Sequence, residues 1–98
     1  MDDTTLQVTT RSAPSDCLVL AVEGYLDEEG GSTLARETRA VPPDQHQRIC
    51  IDLDAVGLFN CSGARCLLSI LRELERQGYE VDLIGVHPPL QRILDLSA

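Results

Sequence analysis

Cys61 and Ser62 are the residues of this sequence whose types and position best suit regulatory chemistry. They lie in the segment 57–63, directly before a run of apolar residues at helical spacing that starts at Ala64. The N-terminus of a helix presents unpaired N–H groups and a partial positive charge. A phosphate added to a hydroxyl there, or an acid formed by oxidising a thiol there, would be favoured by that charge.

A second segment with similar placement is 24–29. Asp27 precedes a helical pattern and is predicted to be its N-cap. Glu28 and Glu29 follow it as a small acidic cluster, which fits either a solvated helix start or a contact with basic residues of a partner. Functional loops of open α/β sheets gather beyond the carboxyl ends of the strands. We therefore expect both segments to contribute to one binding surface.

The other reactive side chains form no recognisable catalytic or metal-binding set. Asp52 and Asp54 follow strand alternation and can share one face, and His46 and His87 have no Ser or Cys neighbour in sequence. The cysteines, at positions 17, 50, 61 and 66, lack the close C-x-x-C spacing of a zinc or redox site. We expect a protein without catalytic residues, metal or cofactor.

Size and composition favour a single small domain that binds protein. The 98 residues are 43% hydrophobic, which suits one core and hence one domain over 1–98. The net charge of −8 repels nucleic acid and anionic lipid, and two Tyr, one Phe and no Trp leave little for base stacking. We expect partners to be proteins with basic patches, with no nucleic acid and no membrane among them.

The cysteines and the start of the chain indicate a cytoplasmic protein. The sequence shows no charged leader with an apolar run and cleavage site, and no stretch of about 18 apolar residues. Cys17 and Cys50 lie in apolar runs and are expected to serve as small core residues with reduced thiols. Cys66 is expected to fill space beside the apolar stripe of the strongest helix.

The hydrophobic pattern predicts an α/β fold with the order ββαβαβα. Strands are predicted at 5–10, 17–22, 48–53 and 79–86, and helices at 28–40, from 64 to a stop at 78, and from 88 onward. The alternation implies right-handed crossovers and a mostly parallel sheet, with the first strand as an antiparallel edge. The continuous apolar run at 17–22 predicts a central strand covered on both faces.

Several short motifs together resemble the STAS domain of bacterial anti-sigma factor antagonists. They are Gly-Tyr-Leu-Asp at 24–27, Ile-Asp-Leu-Asp-Ala-Val at 51–56, Asn-Cys-Ser-Gly at 60–63, and Pro88 followed by Arg-Ile-Leu at 92–94. The resemblance spans nearly the whole chain and implies a fold like that of SpoIIAA. This agrees with the element order predicted from the hydrophobic pattern.

The resemblance implies a partner and a mode of action. Family members bind an anti-sigma factor of the histidine-kinase-like ATPase type, which releases sigma factor for transcription, and the same kinase ends the interaction by phosphorylating a serine. We expect contacts with such a partner from the segments 24–29 and 57–63 and from the start of the following helix. The residues expected to make them are Tyr25, Asp27, Glu28, Phe59 and Arg65.

The switch motif departs from the family pattern. The family has Asp-Ser-Ser-Gly with the first serine modified, whereas this chain has Asn60, Cys61, Ser62 and Gly63. The resemblance therefore puts Cys61 at the phosphoacceptor position. Three consequences stay open: constitutive binding, transfer of the phosphate to Ser62, and redox control through Cys61. Two simpler interpretations are that Cys61 is a tolerated replacement for serine and that Ser62 is the N-cap of the helix.

Two alternatives concern the assembly in which the domain acts. One is a STAS sensor or scaffold module that binds a nucleotide or small ligand within a larger signalling or transport assembly. The other concerns the sheet: an apolar face left open would favour a homodimer or a more extensive partner interface.

Overall fold

The computed structural model describes residues 6–14, 16–41 and 47–97. Its elements follow the predicted order ββαβαβα. They are β1 Gln7–Ala13, β2 Cys17–Leu26, α1 Glu28–Arg39, β3 Arg48–Phe59, α2 Cys61–Arg76, β4 Glu80–Ile84 and α3 Pro88–Ser97. Pro42 and Pro43, which follow the predicted helix 28–40, and His46 fall outside the described residues.

The described strands form one mixed sheet in the order β1-β2-β3-β4. β1 pairs with β2 in antiparallel fashion, whereas β2 with β3 and β3 with β4 are parallel pairs. The prediction of a mostly parallel sheet with an antiparallel first strand at its edge is confirmed. The two parallel connections each contain a helix, as crossovers between parallel strands require.

One face of the sheet carries the hydrophobic core, because side chains alternate between the faces along each strand. On this inner face Leu20 is paired with Ile51, and both are fully buried. The helices supply fully buried residues to the same cluster, including Leu34 from α1 and Leu67 from α2. Burial of each such side chain contributes roughly 1.5–3 kcal/mol. The sheet and its helices therefore form two layers around one core.

The opposite, outer face of the sheet lies apart from that cluster. Val19 points to this face and is only 6% exposed, yet it is not among the residues of the main core. The consecutive burial of Leu18, Val19 and Leu20 agrees with the predicted cover of both faces at this point, although the buried residues of the described helices all join the inner cluster. Cys17 and Cys50, expected in the core, are half-buried on the outer face instead.

Both central strands are longer than predicted. β2 continues to Leu26 and β3 to Phe59, and the register between them shifts twice, between Ala21 and Glu23 and again after Gly24. These shifts are β-bulges, in which β3 inserts an extra residue each time. Gly24 adopts a φ of 111°, a conformation suited to glycine, and β2 continues past it although the strand was predicted to end at 22.

The edge strands also differ from the prediction. β1 runs to Ala13 because its last three residues pair with the first three of β2. β4 ends at Ile84, which is paired with Asp52. β2 and β3 consequently project beyond both edge strands as a two-stranded ribbon, defined here as 24–26 and 56–59.

The helices pack through a close approach at Gly31 of α1. A Cβ atom added to Gly31 would overlap the Cβ of Cys66 in α2 and lie 2.7 Å from its Sγ. Cys66 thus fills the contact between the two helices. The stop predicted at Gly78 is confirmed, because this residue has a φ of 99° and follows the end of α2.

We predict that Gly31→Ala destabilises the fold. The overlap with Cys66 should cost about 1–3 kcal/mol of unfolding free energy. Alanine gains about 1 kcal/mol over glycine in a helix, so we expect a net loss of up to about 2 kcal/mol. Urea unfolding monitored by circular dichroism measures the change. The control is Ser32→Ala, at an exposed neighbouring position, with an expected change within about 0.5 kcal/mol. Equal stability of the two variants would contradict the close packing.

Candidate functional site

The ribbon brings the two predicted segments together. Tyr25 is paired with Leu58, and Leu26 is paired with Phe59. The backbone N–H of Asn60 then donates to the carbonyl oxygen of Leu26 at 3.1 Å. Because α1 and α2 begin immediately after these residues, their N-termini lie side by side at the end of the ribbon.

Each helix is capped by the side chain that precedes it. Oδ1 of Asp27 accepts a hydrogen bond from the N–H of Gly30 at 2.7 Å, which confirms the predicted cap. Oδ1 of Asn60 accepts from the N–H of Gly63 at 2.8 Å in the same way. The Nδ2 of Asn60 also approaches the hydroxyl of Tyr25 at 3.5 Å, which links the second cap to β2.

This geometry corrects two expectations about the segment 57–63. It is not a loop, because β3 runs to Phe59 and α2 begins at Cys61. Ser62 is not the N-cap either, because Asn60 occupies that position. Asn and Ser are similarly good caps, so residue type alone does not distinguish them, and the longer strand shifts the helix start toward the N-terminus.

Gly63 has a steric role in the site. A Cβ atom at this position would collide with the carbonyl oxygen of Leu26. Gly30 is similar, since an added Cβ would lie 2.5 Å from the carbonyl oxygen of Tyr25. Both glycines thus let a helix start approach the end of β2 closely. Gly63 belongs to the switch motif as the residue that permits this packing.

The predicted site residues differ in their exposure. Cys61, Ser62, Arg65 and Glu28 are exposed, whereas Tyr25, Asp27 and Phe59 are half-buried. Phe59 packs against the core, which leaves only part of its ring for a partner.

Sequence reasoning missed Leu58. This residue is 58% exposed and lies beside Tyr25 on the side of the ribbon away from the core. An exposed apolar side chain beside two helix starts can serve as the apolar part of a protein interface. The sequence alone does not reveal the exposure of Leu58, because the second bulge, at Gly57, determines which of Leu58 and Phe59 faces inward.

The other polar residues considered as reactive groups are engaged in local contacts. Oδ1 of Asp52 accepts from the N–H of Asp54 at 3.0 Å, and Nε2 of His87 lies 3.0 Å from the carbonyl oxygen of Asp54. Within 6–14, 16–41 and 47–97, no group of three or more His, Cys, Asp or Glu side chains could hold a metal ion. No helix in the described part of the chain is long and apolar enough to cross a membrane.

Comparison with known proteins identifies the family. The family model described as "Mlab, STAS domain" matches residues 9–98. The chain belongs to the STAS domain family. A search of curated proteins gave no match.

Solved structures show the same fold as this STAS domain. An anti-sigma factor antagonist from Mycobacterium paratuberculosis is similar with a TM-score of 0.78 and 20% identity, over 98% of this chain and 80% of its own. The antisigma-factor antagonist STAS domain from Rhodobacter sphaeroides gives 0.68 and 20%, over 86% and 90%. A structure described as Mglu is similar with a TM-score of 0.73 and 15% identity. The match spans 82% of this chain but only 20% of that protein.

We predict that Asn60→Ala destabilises the STAS domain by about 1 kcal/mol, because Gly63 loses its cap. Asn60→Asp is the matched variant: it keeps an accepting oxygen and adds negative charge at the helix N-terminus, so stability should be retained or raised. Urea unfolding at neutral pH distinguishes the two. An alanine variant as stable as the wild type would show that the cap contributes nothing.

Proposed function

We propose that this STAS domain acts as an anti-sigma factor antagonist-like protein in the cytoplasm. It binds an anti-sigma factor of the histidine-kinase-like ATPase type and thereby regulates sigma factor availability and transcription. It does so by docking, without catalysing a reaction of its own and without the usual serine phosphorylation switch. The proposal rests on family membership, on the fold shared with anti-sigma factor antagonists, and on the surface at the end of the ribbon.

The observation that carries the proposal is the continuity of that surface. The hydrogen bond from Asn60 to Leu26 joins two helix starts that are distant in sequence, and the exposed Leu58 lies on the same ribbon. Protein interfaces commonly combine a central apolar anchor with a polar rim. Here Leu58 would be the anchor, and Tyr25 with its hydroxyl toward Asn60 would support it.

The charged residues around the anchor favour a basic partner surface. Glu28 and Glu29 form the acidic first turn of α1 and are exposed. Arg65, exposed on α2, would supply one contact of opposite sign. With a net charge of −8 the domain would be steered toward positively charged partners, which mainly accelerates association.

Loss of the switch follows from the residue at position 61. The STAS resemblance aligns Cys61 with the phosphoacceptor serine, and a thiol is not a substitute acceptor for that transfer. Phosphoserine would add close to two negative charges at the partner surface, which is how such an interface is broken. Without it, the domain stays in its binding form. Ser62 is exposed in the first turn of α2 and is the competing acceptor.

We predict that the purified domain forms a stable complex with a kinase-type anti-sigma factor and gains no phosphate from ATP. Complex formation is measured by size-exclusion chromatography and phosphorylation by intact mass. Cys61→Ser restores a hydroxyl at the acceptor position and should gain one phosphate and lose the complex. Phosphate on wild-type Ser62, mapped by peptide mass and removed by Ser62→Ala, would refute the loss of the switch.

A second pair of variants tests the docking surface. Leu58→Asp should weaken the complex at least about tenfold, because a hot-spot contact contributes about 2 kcal/mol or more. Leu96→Asp is the control, since Leu96 is 81% exposed on α3, away from the ribbon. If both variants lost the same affinity for the partner, the proposed docking site at the ribbon would be contradicted. Absence of binding to any kinase-type anti-sigma factor would favour the sensor-module alternative.

A groove between α1 and α2 is the feature that favours the sensor-module alternative. It has a volume of about 780 Å³ and is bordered by Arg39, Arg65 and Glu73. Arg39 and Arg65 would favour an anionic group on a small ligand, whereas Glu73 would oppose one close to it. The groove makes this function the second candidate.

Redox control is the remaining alternative and depends on Cys61 being the most accessible thiol. Cys61 is exposed, whereas the other three cysteines are half-buried. Burial raises the pKa of the Cys50 thiol, and nearby Cys17 and Asp82 raise it further, so Cys50 stays protonated to higher pH than an ordinary thiol. Protonated thiols are poor nucleophiles.

We therefore predict that limiting hydrogen peroxide at neutral pH oxidises Cys61 before the other cysteines. Peptide mass mapping after trapping with a sulfenic-acid probe measures the order. Cys61→Ser should leave the domain nearly unmodified over the same time. Oxidation of Cys17 or Cys50 ahead of Cys61 would remove the basis for redox control.

A further inference from the structure

The outer face of the sheet has a regular arrangement of charge across its strands. Arg11 of β1, Val19 of β2, Cys50 of β3 and Asp82 of β4 are successive cross-strand partners and form one row. Residues directly opposite each other on neighbouring strands point to the same face. The row therefore reads basic, apolar, apolar, acidic from one edge of the sheet to the other.

The adjacent rows differ from it, because each has a charged residue on the central strand β3, Arg48 in one row and Asp52 in the other. One row is Ala13, Cys17, Arg48 and Glu80, and the other is Thr9, Ala21, Asp52 and Ile84. Arg48 is held by Glu80 at 2.9 Å, so that pair is internally neutralised. Arg11 and Asp82 are both exposed at opposite edges and have no ion pair among the described residues. Ile84 adds an apolar side chain that is 45% exposed.

We propose that this outer face binds a second copy of the same chain, sheet against sheet, around a two-fold axis parallel to the strands. Such an axis places the β1 edge of one copy over the β4 edge of the other and keeps each row at its own level. Arg11 then faces the partner's Asp82, and the same pair recurs at the other edge. At the centre, the half-buried Cys50 faces Val19 of the other copy, of which only 6% is exposed before the copies meet.

The direction of the axis follows from the charges. A two-fold axis perpendicular to the strands would stack β1 of one copy on β1 of the other. It would place Arg11 near the partner's Arg11 and Asp82 near the partner's Asp82. Like charges placed together at an interface are strongly unfavourable. The parallel axis forms two opposite-charge pairs instead, and it aligns the strands of the two sheets as face-to-face packing prefers.

The size of the face indicates a weak, reversible dimer. Four strands spaced about 4.8 Å apart and about seven residues long give roughly 400 Å² of sheet on each copy. The two copies would together bury about 800 Å², which is less than the roughly 1,200 Å² of a standard interface, so the dimer should be weak and its formation should depend on concentration in the range accessible to sedimentation. The ribbon projects beyond the edge strands and stays outside these rows, so a dimer leaves the end of the ribbon open.

Sedimentation equilibrium of the isolated domain over a concentration series tests the proposal without any partner. The wild type should show a monomer–dimer equilibrium. Arg11→Asp and Asp82→Arg should each weaken dimerisation at least about tenfold, because each creates like-charge pairs at both edges. The double variant Arg11→Asp/Asp82→Arg should restore it, since the swapped pairs attract again.

A charge reversal on the helix layer, Arg92→Asp on exposed α3, is the matched control and should leave the equilibrium unchanged. Circular dichroism of each variant checks that folding is intact. A wild type that remains monomeric, or a dimer insensitive to both single reversals, would overturn the proposal. So would a double variant as weak as the single ones. None of these outcomes depends on whether an anti-sigma factor binds the ribbon.

Discussion

The hydrogen bond between the Asn60 N–H and the Leu26 carbonyl is the constraint on which the site depends. It closes the ribbon formed by β2 and β3 and fixes where both following helices begin. The two caps, Asp27 and Asn60, then satisfy N–H groups at those helix starts. Gly63 makes the arrangement possible, because any side chain there would meet the Leu26 carbonyl. The exposed residues proposed to bind a partner are therefore presented by a rigid frame.

The second organising feature is the difference in residue composition between the two faces of the sheet. The inner face is wholly aliphatic at its centre and accounts for the core, with Leu20, Ile49 and Ile51 fully buried. The outer face mixes small apolar side chains with charges at its edges and on the central strand β3. Parallel strands are usually covered on both faces. The proposed dimer would restore that coverage, while the ribbon keeps a separate surface for another protein.

The sequence predicted the element order, the central position of β2, the antiparallel edge strand, the Asp27 cap and the helix stop at Gly78. These rest on local signals: periodicity, cap chemistry and glycine at the end of a helix. It did not predict the length of β2 and β3, the cap at Asn60 or the exposure of Leu58. Those depend on bulges such as the one at Gly57, whose placement results from pairing with a distant strand. The order of charges across the outer face could not be predicted either, because it depends on the register of all four strands.

The cap at Asn60 has a consequence for how this family can diversify. Architecture at the start of α2 depends on position 60 and on Gly63, whereas Cys61 and Ser62 lie exposed between them. Substitution at the exposed positions therefore changes which modification the protein can receive without disturbing the helix that displays it. On this architecture, a change of residue at position 61 or 62 would alter the chemical control of the domain and leave the scaffold as it is.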